Sequence, residues 1–183
     1  MSKISDYIFI TSNKNKAEEI KNILGTGIKI KELDLSEIQS LDLDHVITEK
    51  AKLAFSIIKK PIIVEDISFE IASLNGLPGT FVKFFLQSLG TEGIIKLVGN
   101  KSTKIKVSAA VAIFDGVKLK IFKGINSGTL SKTSRGESGF GFDRIFIPKG
   151  YKKTYAQMDP KLKNKISHRA KALIKLKEYL QPR

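Results

Sequence analysis

The chain has no cysteine, no tryptophan, two methionines and two histidines in 183 residues. Without cysteine there is neither a disulfide framework nor a thiolate metal site. The two histidines, His45 and His168, stand far apart and offer no zinc-like ligand spacing. Absence of disulfides agrees with a reducing compartment. Long apolar runs are also missing. Tyr7-Ile-Phe-Ile10 is too short for a signal-peptide core or a membrane span, so a cytoplasmic protein without a membrane partner is expected. Low-complexity tracts, internal repeats and Pro/Ser/Gly linkers are absent too, and no Ser-His-Asp order suggests a nucleophilic triad.

What remains is a chain of 42% apolar content, enough for a buried core, and of a length that fits one domain spanning 1–183. Its formal charge is +14, concentrated at one end: Lys149 to Arg183 holds 11 Lys/Arg against Asp159 and Glu178. Such a segment suits a polyanionic partner, or is simply a solvated lysine-rich face.

Periodicity gives a mixed α/β protein. Tyr7–Ile10 reads as a short buried strand and Lys14–Leu24 as a helix stopped by Gly25. Ile28–Leu33 alternates as a second strand, and Asp44–Ile58 is an amphipathic helix ended by Pro61. Ile62-Ile-Val64 is a third strand that delivers Glu65-Asp66 at its end. Phe81–Leu89 and Glu92–Val98 look helical. Lys104–Phe114 and Val117–Phe122 form a hairpin around Asp115-Gly116, a two-residue turn signal. Asp143–Ile147 reads as a strand, and Ser167 caps a final helix with Leu173, Leu176, Tyr179 and Leu180 facing inward.

Three acids stand out: Glu37 and the pair Glu65-Asp66. Magnesium commonly takes one or two carboxylates together with substrate phosphates, whereas an isolated Glu-Asp pair is equally a solvated loop or a helix cap. Thr11-Ser-Asn13, with Lys14 and Lys16, offers hydroxyl, amide and ammonium donors to a phosphate, although Ser/Asn before a helix is ordinarily just a cap. Ser138-Gly-Phe-Gly-Phe-Asp143 joins flexible backbone to flat aromatic faces. Phe140 and Phe142 also fit core packing, and His168 fits an idle position beside its cap. Lys163-Asn-Lys-Ile-Ser-His-Arg169 brings three cationic side chains around a helix start. A base-plus-phosphate ligand would use all of these together.

In sequence order, Phe9–Glu19, Glu37–Ser40, Val64–Asp66, Leu74–Thr80, Gly139–Asp143, Thr154–Met158 and Lys163–Arg169 resemble the inosine triphosphate pyrophosphatase family, also called XTP/dITP diphosphatases. The resemblance covers nearly the whole chain. It implies an elongated mixed β-sheet flanked by helices, two lobes with a deep cleft between them, and a homodimer. The implied activity is magnesium-dependent (Mg2+) hydrolysis of ITP, dITP and XTP to monophosphate and pyrophosphate, with no stable nucleic-acid partner. Carried over by position, Thr11, Ser12, Asn13, Lys14, Asn15 and Lys16 would hold the triphosphate, with Lys50 and Lys83 as further phosphate contacts. Glu37, Glu65 and Asp66 would hold the metal, and Asp66 would be the base for water. Phe140 would stack on the purine, Gly141, Phe142 and Asp143 would complete its pocket, and Lys163, His168 and Arg169 would close over it. Ser12 and Ser40 stand where the family usually has glycine, Ile67 where it has a small polar residue, Arg144 where proline is frequent and Gln157 where glutamate is usual. Two other readings fit the same residues: a pyrophosphatase for another modified or pyrimidine nucleotide, and a basic nucleic-acid-binding module.

Overall fold

The computed structural model describes residues 3–25 and 27–180; the chain start at Met1 and the terminal cation Arg183 lie outside them. In chain order the elements are β1 (Ile8–Ile10), α1 (Lys14–Leu24), β2 (Lys29–Lys31), α2 (Leu43–Ile58), β3 (Ile62–Ile71), β4 (Pro78–Gly79), α3 (Val82–Val98), β5 (Lys104–Phe114), β6 (Leu119–Leu130), β7 (Phe146–Pro148), α4 (Pro160–Ile166) and α5 (His168–Leu180). They build one seven-stranded mixed sheet in the order β2-β1-β3-β5-β6-β7, with β4 paired to β3. The β2-β1-β3 side is parallel and the β3-β5-β6-β7 side antiparallel.

The pleat sends alternate residues to opposite faces. On one face, Phe9, Ile63 and Val111 pack against Ile20 and Leu24 of α1 and Leu173 and Leu176 of α5. On the other, Ile62, Val64, Ala110 and Ala112 meet Ile47, Ala51 and Ala54 of α2. A third cluster beyond the parallel strands joins Phe69, Val82, Ile94, Phe142, Phe146 and Tyr155. Gly124 sets how closely α5 seats on β6. A Cβ there would lie 2.0 Å from the His168 carbonyl oxygen, so only glycine admits the helix start.

Several sequence expectations are corrected. β3 does not end at Val64 but runs on to Ile71, so Glu65 and Asp66 are mid-strand, paired with Val111 and Ala110 of β5. Carboxylates are poor strand residues unless partnered, and the partners come from distant helices. β1 stops pairing at Phe9↔Ile63, so both acids lie just past its end. The β5–β6 hairpin closes through four residues, because Asp115 Oδ1 accepts from the amides of Val117 and Lys118; Val117 is exposed in that loop. Gly90 (φ 65°) interrupts α3 between the two expected helices. Asp143 lies in a turn rather than a strand, its carboxylate taken by the Phe140 amide and Lys163. Tyr179 is exposed, its ring under the Lys120 ammonium, and α4 is an additional helix that the periodicity does not indicate. Ser167 does cap α5, accepting from the Ala170 amide.

Candidate active site

A cleft of about 650 Å³ opens beside the end of β1. Thr11, Ser12, Asn13, Asn15 and Lys16 line it from the β1–α1 turn and the first turn of α1; Glu37 lines it from the segment before α2; Lys50, Asp66 and Lys83 from α2, β3 and α3; Phe140, Gly141, Phe142 and Asp143 from the glycine-rich turn; His168 and Arg169 from the start of α5. Of the residues singled out in the sequence, these fifteen converge on one space.

The turn into α1 is locally encoded. Asn13 caps the helix by accepting from the Lys16 amide, and Thr11 Oγ1 accepts from the Asn13 amide. Asn15 faces the cleft while Lys14 is exposed outside it. Thr80 Oγ1 donates to the Ser40 carbonyl and so ties the Glu37 segment to the approach to α3.

Glu65 and Asp66 take opposite faces. Asp66 faces α2, where the Lys50 ammonium lies 3.1 Å from its Oδ2 and 2.6 Å from Glu37 Oε1. Burial favours neutral Lys50, but the Asp66 and Glu37 carboxylates outweigh it and raise its pKa. Glu65 faces α1 and α5 with its side chain fully buried. Arg169 Nε donates to its Oε1 at 3.0 Å, Nη2 lies 3.0 Å from the same oxygen, and the Lys16 ammonium lies 2.8 Å from Oε2. Burial alone would raise the Glu65 pKa; Arg169 and Lys16 reverse this and hold it down at about 2. Glu65 therefore does not sit beside Glu37 and Asp66 as a third ligand. Among the described residues no group of three acid or histidine side chains is gathered to hold a metal. The Glu37–Asp66 pair does fit one cation, since a single ammonium already touches both.

Glu19, which sequence reasoning leaves out of the site, bridges two expected site cations: one oxygen accepts from Lys163 at 2.6 Å and the other from Arg169. Lys163 also holds Asp143 and lies behind the cleft rather than on its lining. Burial pushes the Asp143 carboxyl up, against the opposing pull of Lys163. Both cations approach the half-buried Phe140 ring, Lys163 Nζ at 5.0 Å and Arg169 Cζ at 5.5 Å from its centroid. Gly139 is required here: its φ is +77°, and a Cβ would meet Asp143 Oδ2 at 2.3 Å. Phe142 is mainly core, stacked on Phe69 at 4.5 Å. His168 is buried with neither ring nitrogen hydrogen-bonded, and burial, then Arg169, lowers its pKa well below 6.5. Glu19 has a local signal, because it follows Lys16 by three residues on the same helix face. Gln87, another cleft residue missed, follows Lys83 by four.

Fold and cleft define a class: a mixed-sheet α/β protein whose cleft joins an aromatic ring, cationic side chains and an acid pair, the chemistry of a nucleotide-type ligand. The chain belongs to the Ham1 family, whose model matches residues 7–179. It is 38% identical to the inosine triphosphate pyrophosphatase of Schizosaccharomyces pombe, over 99% of this chain and 98% of that protein. It is 39% identical to the dITP/XTP pyrophosphatase of Saccharolobus solfataricus, over 94% of this chain and 92% of that one. Among solved structures, the Ham1 protein of Coxiella burnetii matches with a TM-score of 0.81 at 26% identity, covering 95% of this chain and 98% of its own. The Staphylococcus aureus Ham1 protein matches at 0.80 and 25%, over 94% and 97%.

Proposed function

We propose that the protein hydrolyses non-standard purine nucleoside triphosphates, ITP, dITP and XTP, to the monophosphate and pyrophosphate. The observation that carries this is the convergence on one 650 Å³ cleft of the Phe140 ring, the cations Lys16, Lys50 and Lys83, and the Glu37–Asp66 pair. The purine stacks on Phe140, and the triphosphate runs past the start of α1, whose free amides and dipole favour anions. Lys16 and Lys83 act as point charges on the phosphates. Glu37 and Asp66 would hold magnesium, which when bound would supply positive charge to offset that of the phosphates. Asp66 orients the attacking water, and accepts its proton when within hydrogen-bond reach. Glu65 does not touch the reacting atoms; it fixes Arg169 and Lys16.

Base choice follows from donors and acceptors. Neutral His168 carries one N–H and one bare nitrogen, both without protein partners. Both nitrogens are closed off from solvent, however, so the donor that meets the 6-oxygen of hypoxanthine or xanthine is Arg169 or a backbone amide of the pocket. The 6-amino group of adenine would face that donor, a mismatch costing about 1–3 kcal/mol. A homodimer acting in the cytoplasm completes the reading; α3 leaves Leu89 and Leu97 exposed, side chains that a second copy would cover. The deciding assay offers ITP, GTP, dUTP and dTTP with magnesium and separates pyrophosphate from orthophosphate. Pyrophosphate from ITP first is expected. Orthophosphate, or a preference for dUTP or dTTP, overturns the assignment.

A further inference from the structure

Lys50 is held unlike the other cleft lysines. Lys83 is exposed and has no ion pair among the described residues, and Lys16 pairs with a single carboxylate, the buried Glu65, while still lining the cleft. The Lys50 ammonium has three oxygens around it: Glu37 Oε1 at 2.6 Å, Asp66 Oδ2 at 3.1 Å and the Glu65 carbonyl at 3.3 Å. An ammonium has three donors, and all three are used. Its side chain is only 11% exposed, at the cleft wall, so it leaves this position only into the cleft.

We propose that Lys50 is a placeholder: in the ligand-free protein its ammonium occupies the position of the divalent cation between Glu37 and Asp66, and it moves onto the substrate phosphates when metal and nucleotide enter together. The inference rests on reading Glu37 and Asp66 as the metal pair. One pair of carboxylates cannot closely hold an ammonium and a dication at once, because the two cations repel at contact distance. The four-carbon stem of lysine allows the ammonium to move without shifting α2. A bare cation must displace a tethered competitor that has nowhere better to go. With a polyphosphate present, the displaced ammonium gains phosphate oxygens instead. Metal and nucleotide binding are thereby coupled, each raising the affinity for the other by the same factor. When pyrophosphate departs with its metal, Lys50 returns and the carboxylates are not left to repel each other.

The test is magnesium binding without nucleotide, measured by calorimetry on the wild type, Lys50→Met and Asp66→Asn. Methionine keeps the apolar stem and removes the charge. Lys50→Met is expected to bind magnesium about tenfold more tightly than the wild type, and to gain less than the wild type when a non-hydrolysable ITP analogue is added. Asp66→Asn is expected to lose binding. If Asp66→Asn loses binding and Lys50→Met binds no tighter than the wild type, the placeholder is overturned while the metal pair stands. If Asp66→Asn keeps wild-type affinity, the metal pair falls and the placeholder with it. A readout on the unaltered protein covers the case in which Lys50→Met does not fold. The Lys50 ammonium resonance, followed by NMR, should shift when magnesium and the analogue are added together; an unchanged resonance at saturation overturns the proposal.

Discussion

Glu65 and Asp66 are neighbours on one strand, yet their surroundings are opposite in kind. Glu65 is shut beneath α1 and α5 in a continuous ionic cluster with Lys16, Arg169, Glu19, Lys163 and Asp143. Asp66 lies beneath α2 at the cleft wall, linked through Lys50 to a Glu37 whose side chain is 41% exposed. The first arrangement is closed and holds the cationic wall of the cleft rigid. The second is open to an incoming ion. The pleat decides which acid does which, since adjacent strand residues point to opposite faces.

Exchanging each carboxylate for its amide separates the two roles. The largest effect is expected from Asp66→Asn: turnover of ITP falls about 10²–10⁴-fold while the unfolding midpoint changes little. Near-normal pyrophosphate release would remove Asp66 from the chemistry. Glu65→Gln should act chiefly on stability, since it leaves Arg169 and Lys16 buried beside a neutral amide. Breaking a buried pair costs about 3–5 kcal/mol, readable by urea unfolding. A loss of activity without loss of stability would place Glu65 with Asp66 after all.

The closed cluster also predicts an acid limb. His168 is kept neutral in the fold, with its pKa depressed, and takes up a proton on unfolding. Stability therefore starts to decline as pH falls below 6.5. Glu65 has a depressed folded pKa, so its contribution is complete above its unfolded value of 4.5 and is lost as pH falls toward about 2. Each group contributes a slope of up to about 1.4 kcal/mol per pH unit. Urea unfolding between about pH 7.5 and about pH 5 should show the first limb in the wild type and none in His168→Gln.

On the open side, Phe140→Ala should weaken nucleotide binding by about 1–3 kcal/mol with little loss of stability, since its ring is only half-buried. Unchanged binding by calorimetry would return Phe140 to the core. The smallest effect is expected of Lys14→Ala. Lys14 is exposed and off the cleft lining, so KM for ITP should change less than about twofold in moderate salt.

Much of the molecule is legible in the order of its residues. The Lys14–Leu24 helix, its stop at Gly25 and the α2 face of Val46, Ile47, Ala51 and Ala54 follow from 3.6-residue spacing and caps. The Ser167 cap is equally local. The extension of β3 through Glu65-Asp66 is not legible, because local propensity argues against carboxylates in a strand and the compensating cations come from helices far away in sequence. Glu19 has a local hint in its spacing from Lys16, but its role is not local: its partners Lys163 and Arg169 are 144 and 150 residues distant.

The sequence by itself determined the residue types that a nucleotide site needs, their order and most of the helices, because those depend on spacing, caps and chemical identity along the chain. Only the tertiary structure decided which acid faces the cleft, which is sealed beneath it, and that Lys50 rather than a loop residue spans Glu37 and Asp66. Those outcomes depend on which helix covers each face of β3, and packing across the sheet sets that, not neighbours along the chain.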